Sequence, residues 1–591
     1  MPFVVDLAAG TVEREGRSAE TGHFGGSILG LRLLAERTPA RLAPYDPRAL
    51  LYVAAGILGG APGPGLAKTV FLAKSPLTGV AGDAHALGPF AAGLRGAGAM
   101  ALAITGRARR LSYLLIEGGE VTCHDAEDLR GLGTAATTDA LRARHGAGAH
   151  VAAIGPAGEN LVRYASVVTD HAYPAARYGL GAVFGAKNLK AVVCVGEAPV
   201  SVADPDALAG LTAYYRDALA ANPLAALQHG EPGFAGWAGD VPDPGYLAVR
   251  NFSVTGESGL AVPEPGAFGV RAVATRGGCP GCPNDCLKTY GPPASPVRES
   301  GGLGQEAFPS LGWNLGIDDL DAVLDANALC NDLGLDQVSL GGTLAFAMEC
   351  AARGLLHGGP AFGDAAALPG LIRDVATRSG AFGDLLAEGS ARAARLIGQE
   401  AMPYVMAVKG AEVPCFDPRV QPGLGLGYAA APNGPRYDAL EHDLDFDPAL
   451  GLPYCFPEAA RVGVAPETAG VLDAERGRRT ARLLRLWSAL DALNICVFAS
   501  TPTRPLTLDH LASLVRAVAG VEFTVGDLLD AGRRRLDLMR AYAIREEGGP
   551  DELPARFHDE PVAAGRHAGA VLPRASFAEA RTAFYEELGW Q

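Results

Sequence analysis

At 591 residues the chain is longer than one hydrophobic core serves, so roughly two to four domains are expected. A hydrophobic content of 48% with 78 glycines describes a well-buried globular protein and excludes a disordered one. The formal charge of −15 argues against a nucleic-acid partner, because nothing here would neutralise a phosphate backbone.

The amino terminus, Met1-Pro-Phe-Val-Val-Asp-Leu, lacks the basic stretch, apolar run and small-residue cleavage site of a secretion signal. No segment reaches the ~18 uninterrupted apolar residues of a membrane helix. A cytoplasmic protein without membrane insertion is the expectation. Ten cysteines in a chain of this length do not make a disulfide framework, and a reducing compartment suits thiolates that hold metal. Cys123, Cys194, Cys350, Cys415 and Cys455 read as packing residues.

Residues 1 to about 200 read as β-rich. Short apolar runs at Leu51-Tyr-Val-Ala-Ala, Thr69-Val-Phe-Leu-Ala, Met100-Ala-Leu-Ala-Ile, Tyr113-Leu-Leu-Ile, Val151-Ala-Ala-Ile and Ala191-Val-Val-Cys-Val have strand length and are bounded by Gly, Pro or Asp. Helices are expected at Gly26 to Arg37 and Thr137 to Arg144. After Pro205 the spacing changes to three and four over Asp206 to Ala220, Asp318 to Leu333, Leu340 to Arg353 and Arg479 to Leu493, which predicts a mainly helical remainder. Between them, Gly230 to Arg276 reads as a long irregular insert studded with Phe234, Trp237, Tyr246 and Phe252.

Three cysteines at C-x2-C-x3-C, Cys279, Cys282 and Cys286, sit in a run of Gly, Pro, Asn and Asp that favours tight turns, so their thiolates can converge. A close triplet completed by a remote cysteine, here Cys496, is an ordinary way to hold an iron–sulfur cluster; structural zinc more often arrives as two separated pairs. Two runs combine glycine with cations: Lys68 through Lys74-Ser-Pro-Leu-Thr-Gly79, with His85 and Gly88 beyond, and Arg177-Tyr-Gly179-Leu-Gly181 through Lys187 and Lys190. Each can cradle an anion or serve as a structural turn.

Two helix exits also stand out. Asn331-Asp332-Leu-Gly334-Leu335-Asp336 ends at a glycine, and Asp491-Ala-Leu-Asn494-Ile495-Cys496 at an asparagine, which tolerates the same left-handed turn. An aspartate there is a cap, or an acceptor for a ring with adjacent N–H and NH2 donors such as a pterin.

Taken jointly, these motifs resemble the tungsten-dependent aldehyde ferredoxin oxidoreductase family over nearly the whole chain. Further elements carry the likeness: Gly155-Pro-Ala-Gly-Glu-Asn160, Leu311-Gly312-x-Asn314-x-Gly316-Ile317 and Leu553-Pro-x-Arg556-Phe557. The resemblance implies an α+β fold, with an N-terminal β-rich saddle domain (residues 1–200) followed by two mainly helical domains (201–410, carrying the triplet, and 411–591, carrying Cys496). These would enclose a tungsten or molybdenum bis-pyranopterin dithiolene beside a 4Fe-4S cluster, with magnesium bridging the pterin phosphates.

By the same resemblance Cys279, Cys282, Cys286 and Cys496 are the cluster ligands. Asn331, Leu335 and Asp336 read one pterin, and Asp491, Ile495 and Cys496 the other. Lys68 stands about where members carry an arginine touching pterin and cluster, Lys74 joins the cofactor set, and His85, Gly88 and Arg177 lie near the phosphates and magnesium. Glu306 takes the place of an active-site glutamate, although from the residues alone it reads as an exposed one. The chain departs from the family at Tyr437, which stands at a histidine position in Asn433-Gly-Pro-Arg-Tyr437; His442 is the nearest imidazole to serve instead. It also departs at Phe416 for a tyrosine and at Asn331 for a carboxylate.

Three functions follow as expectations: an oxidoreductase interconverting an aldehyde and a carboxylic acid, with electrons leaving through the cluster to ferredoxin or a ferredoxin-like subunit; a relative of the tungsten subunit of class II aryl-coenzyme A reductases; or a non-catalytic iron–sulfur scaffold. Homodimers also occur in the family.

Overall fold

The computed structural model describes residues 2–15, 25–229, 244–255, 259–261, 267, 272–274, 278–284, 286–287, 289–290, 306–436, 440, 442–500 and 502–590. Most of the insert from Gly230 to Arg276, and Tyr437, lie outside them.

The first two hundred residues form two six-stranded mixed sheets. β1 (Pro2–Asp6), β2 (Thr11–Arg14), β3 (Leu51–Ala54), β4 (Thr69–Lys74), β5 (Ala81–Ala86) and β6 (Ala101–Thr105) assemble in the order β2-β1-β6-β3-β4-β5. β7 (Ser112–Glu117), β8 (Glu120–Asp125), β9 (His150–Ala153), β10 (Val167–Thr169), β11 (Tyr173–Ala175) and β12 (Leu189–Val195) assemble as β11-β10-β9-β12-β7-β8. Each sheet contains one parallel pair, β1 with β6 and β12 with β7.

The period of two along a strand assigns the faces. Leu51, Val53, Phe71 and Ala73 point into a core shared with Leu114, Ile116, Val192 and Cys194 of the second sheet. Tyr52, Ala54, Val70 and Leu72 face the other way, onto Leu31 and Leu34 of the helix Ser27–Arg37 and onto Met539 and Tyr542 of the helix Val525–Arg545. The outer face of the second sheet, with Tyr113, Val151 and Val193, is closed by Leu141 of the helix Thr134–His145. Both faces of the central strands are thereby covered, which is why they read as apolar runs rather than alternating ones, whereas the edge strands β2 and β8 stay largely exposed.

The remainder is mainly helical, with long helices at Pro205–Leu219, Leu320–Leu333, Gln337–Ala352, Ala474–Ala492 and Val525–Arg545. One apolar cluster runs from Phe308 and Leu324 through Leu424 to Phe584 and binds the middle and last thirds together. A second joins the turn at Leu58 to Leu66 of the β-rich part to Tyr215, Leu490, Ile495 and Leu511. Among the described residues no helix is long and apolar enough to cross a membrane.

Candidate metal and cofactor centre

The four cysteines of interest meet. Gly281, at φ +71°, lets the triplet loop lie flat on the first sheet's turn, since a Cβ there would stand 2.6 Å from Cα of Pro62. The N–H of Gly65 donates to Sγ of Cys282 at 3.4 Å, while its carbonyl accepts from the N–H of Cys496 at 2.8 Å. The N–H of Gly88 donates to Sγ of Cys279 at 3.3 Å. Gly88 therefore belongs to the thiol loop. The ring of Tyr173 fills the space a Cβ of Gly88 would need, and its hydroxyl donates to the carbonyl of Gly278 at 3.0 Å.

Burial raises the pKa of Cys286 well above that of an ordinary thiol, and the charges of Cys496, Cys279 and Cys282 raise it further. Four thiolates gathered this closely repel one another unless a cation stands between them. Sulfur ligands with backbone N–H groups aimed at them fit an iron–sulfur cluster.

The helix exit beside Cys496 is a charge knot. The 474–492 helix stops where Asn494 turns left-handed, at φ +56°, and its Nδ2 donates to the carbonyls of Ala54, Ala55 and Lys68 at 3.0–3.3 Å. Those bonds give asparagine an advantage over glycine here. Asp491, in the last turn, meets Lys68 Nζ at 2.5 Å, Arg436 at 2.9 Å and Arg535 at 3.4 Å. A second buried carboxylate, Asp83 of β5, is paired with Arg436 at 3.2 Å and with Arg535. Burial opposes ionisation of both acids. It is outweighed at Asp491 by Arg436, Lys68 and His85, and at Asp83 by Arg535 and His85, so both carboxyls stay below the usual range.

Nε2 of His85 lies 3.3 Å from Asp83 and 3.7 Å from Asp491, at contact distance but without hydrogen-bond alignment. Burial and Lys68 lower its pKa. Asp83, His85 and Asp491 have the spacing of metal ligands, yet three permanent cations face the two carboxylates. The surplus positive charge suits an anionic group rather than magnesium at that point.

The other exit is simpler. The 320–333 helix ends at Gly334, φ +74°, and Leu335 closes it by donating to the carbonyl of Cys330 at 2.8 Å. Asp336 then caps the next helix, accepting from the N–H of Val338 at 3.0 Å and from Arg177 at 3.3 Å. Arg177 also donates to Ser339 Oγ at 2.9 Å and to the carbonyls of Glu412 and Pro435, both at 2.8 Å. Asn331 Oδ1 accepts from Gln337 at 2.6 Å. Pro435 thus touches one exit and Arg436 the other, so the turn at Asn433–Arg436 bridges them.

Glu306 is buried, against its reading as an exposed glutamate, and stands just before the short helix Ala307–Leu311. Its charge bears on Cys415, whose Sγ lies 3.4 Å from Ser310 Oγ. The adjacent Phe416 meets the ring of His442 edge-on, with centroids 4.4 Å apart, and stacks on Tyr246 at 5.8 Å. Glu306, Phe416 and His442 are therefore linked through one wall. Burial holds the pKa of His442 down to about 4, with Arg504 also lowering it against the opposing charge of Asp443. The amide Nε2 of Gln421, 3.3 Å from Nδ1, leaves Nε2 of the imidazole to carry the proton. Tyr437 lies outside the described residues.

Several sequence signals have local explanations. Lys74 is buried against Glu546 at 2.5 Å. Lys187 donates to the carbonyls of Pro47, Ala49 and Gly106, and Lys190 to that of Leu132 and to Glu159. At Gly179 and Gly185 a Cβ would collide with the carbonyls of Arg163 and Gly158 at 1.8 and 1.9 Å. The glycine–cation run from Arg177 to Lys190 is thus a packing device, with Arg177 alone reaching the site. Of the cysteines read as packing residues, Cys194, Cys350, Cys415 and Cys455 are buried, whereas Cys123 is exposed on β8. Asp83, Arg436 and Arg535 were not singled out from sequence; only Arg436 had a nearby signal, the Asn433-Gly-Pro turn.

Two six-stranded sheets with a helical remainder, four thiols converging beside the buried Asp491 exit and a second buried exit at Asp336 have the form of a redox enzyme. Comparison with known proteins agrees. The sequence profile for "Aldehyde ferredoxin oxidoreductase, N-terminal domain" matches residues 3–196, and that for "domains 2 & 3" of the same family matches 211–591. The tungsten-containing aldehyde ferredoxin oxidoreductases of Pyrococcus horikoshii and Pyrococcus furiosus are each 32% identical over 99% of this chain and 95% of theirs. A solved structure, the active-site complex BamBC of benzoyl coenzyme A reductase with 1,5-dienoyl-CoA, shares the fold with a TM-score of 0.82 at 24% identity, covering 100% of this chain and 94% of that one.

The chain is an oxidoreductase. It belongs to the aldehyde ferredoxin oxidoreductase family, whose tungsten-containing members imply a tungsten–pterin cofactor here.

Proposed function

We propose that the protein interconverts an aldehyde and a carboxylic acid, with the cysteine quartet holding a 4Fe-4S cluster that hands electrons singly to ferredoxin or a ferredoxin-like subunit. The observation that carries this reading is the junction at Gly65, whose N–H and carbonyl engage Cys282 and Cys496 and so tie the quartet to the Asp491 exit. When bound, the tungsten bis-pterin supplies the two-electron acceptor and the path toward the cluster.

The chain's own residues hold the cofactor and manage protons. Oxidising an aldehyde with water yields the acid, two protons and two electrons, so a buried base is needed. Glu306 takes a proton from the water or aldehyde hydrate. His442, neutral at physiological pH, directs its Nε2–H at the substrate oxygen, and the Phe416–Tyr246 wall excludes water. Asp336 and Asp491 retain lone pairs to accept from pterin ring donors, and the cations around Asp491 neutralise the cofactor's charge.

The purified protein should contain tungsten or molybdenum together with iron, and should reduce a viologen dye with simple aldehydes. Lack of both group 6 metals sinks the reading. Metal without turnover of any aldehyde would favour an aryl-coenzyme A reductase-like activity instead.

A further inference from the structure

Tyr215 lies on the helix Pro205–Leu219, on the same face as Leu208 and Leu219, and is fully buried in the apolar cluster that includes Leu66, Ile495 and Val497. Leu66 and Ile495 immediately neighbour Gly65 and Cys496, so this face of the helix packs against the junction of the thiol site. Its hydroxyl oxygen has no hydrogen-bond partner among the described residues. A hydroxyl left so in an apolar setting is costly, and such groups in native proteins have partners. Burial first, and then the charges of Cys282, Cys286 and Cys496, keep the phenol protonated. The next residue, Arg216, lines a cavity of about 690 Å³ that opens on Cys282 with Leu219 and Gly281. Solvent thus reaches one side of the site while Tyr215 occupies a dry one, where a hydrogen bond counts for more.

We propose that Tyr215 donates a hydrogen bond to a sulfur of the cluster held by Cys279, Cys282, Cys286 and Cys496, and so eases that centre's acceptance of an electron. The proposal rests on the cluster assignment made under the proposed function. The N–H groups of Gly65 and Gly88 already point at Cys282 and Cys279, and Tyr215 supplies a third donor from the side-chain repertoire. Reduction adds negative charge to the cluster, which a donor stabilises, so the reduced state is favoured and the potential raised. The proton stays on the tyrosine oxygen throughout; no bond is made or broken.

The test is a redox titration of the holoenzyme followed by the electron paramagnetic resonance signal of the reduced cluster, in wild type and Tyr215→Phe. The variant is expected to keep its iron and to titrate lower by about a tenfold change in the oxidised-to-reduced ratio, about 59 mV for one electron. An iron-replete variant with an unchanged midpoint overturns the proposal. Should Tyr215→Phe lose its cluster, wild-type protein grown with 3-fluorotyrosine decides: its stronger donor is expected to raise the midpoint, and an unchanged value overturns the proposal. Wild-type protein without iron would overturn the cluster assignment itself, and this inference with it.

Discussion

The two helix exits carry nearly the same local sequence logic and are wired very differently. At Asp336 one carboxylate meets one guanidinium and caps the next helix. At Asp491 two carboxylates from distant parts of the chain gather Lys68, Arg436 and Arg535 around His85. The first arrangement is mainly backbone architecture, whereas the second is an electrostatic socket with a cation to spare. A motif therefore fixes where an aspartate sits, and the surrounding fold fixes what it does.

The sharpest way to break the comparison is Asp491→Ala. Removing one partner of a buried ion cluster takes from Lys68 its carboxylate and leaves Arg436 and Arg535 with Asp83 alone, and a loss of about 3–5 kcal/mol is expected in chemical unfolding of the protein. Asp336→Ala should cost less, about 2 kcal/mol, because one cap and one ion pair are lost while Arg177 keeps Ser339 and two carbonyl acceptors. Equal losses at the two positions would show that the socket has no special electrostatics.

Asn494→Gly preserves the left-handed turn but deprives three buried carbonyls of their donor, so about 1–2 kcal/mol should be lost by the same measurement. The smallest effect concerns pH. His442 stays neutral in the folded protein down to about 4, while the unfolded chain's imidazole takes up a proton near its ordinary value. Between those values the unfolded state binds more protons, so stability falls as pH falls. His442→Gln should flatten that slope, a difference under about 1 kcal/mol at pH 6. An unchanged slope would place the imidazole in water.

Much of this was legible in the chain. The apolar runs at Leu51 and Thr69 became strands at the expected positions, because burial on both faces leaves a signal in every residue. The helices predicted at Asp206 to Ala220 and Asp318 to Leu333 shifted by no more than two residues at either end. The C-x2-C-x3-C loop and Cys496 did converge. The socket was harder to see, since Asp83 lies 353 residues from Arg436 and 452 from Arg535, and the three carry no shared spacing. Glu306 read as exposed because the polar Gly304-Gln305 precede it, although the apolar Ala307, Phe308, Leu311 and Trp313 that follow mark a buried stretch. For the glycines from Gly179 to Gly185 the sequence left an anion cradle and a structural turn both open, since closeness to a carbonyl and closeness to an anion call for the same residue, and the structure bears out the second.

The dual role of Gly65 has a consequence for how the enzyme is made. Its peptide groups hold a sulfur ligand from the middle of the chain and the backbone of another from the last third, while itself belonging to the first. The quartet therefore exists only once three distant stretches have docked. On the cluster assignment proposed above, iron delivered earlier would find three sulfurs at most, and maturation of the centre would report on completed folding.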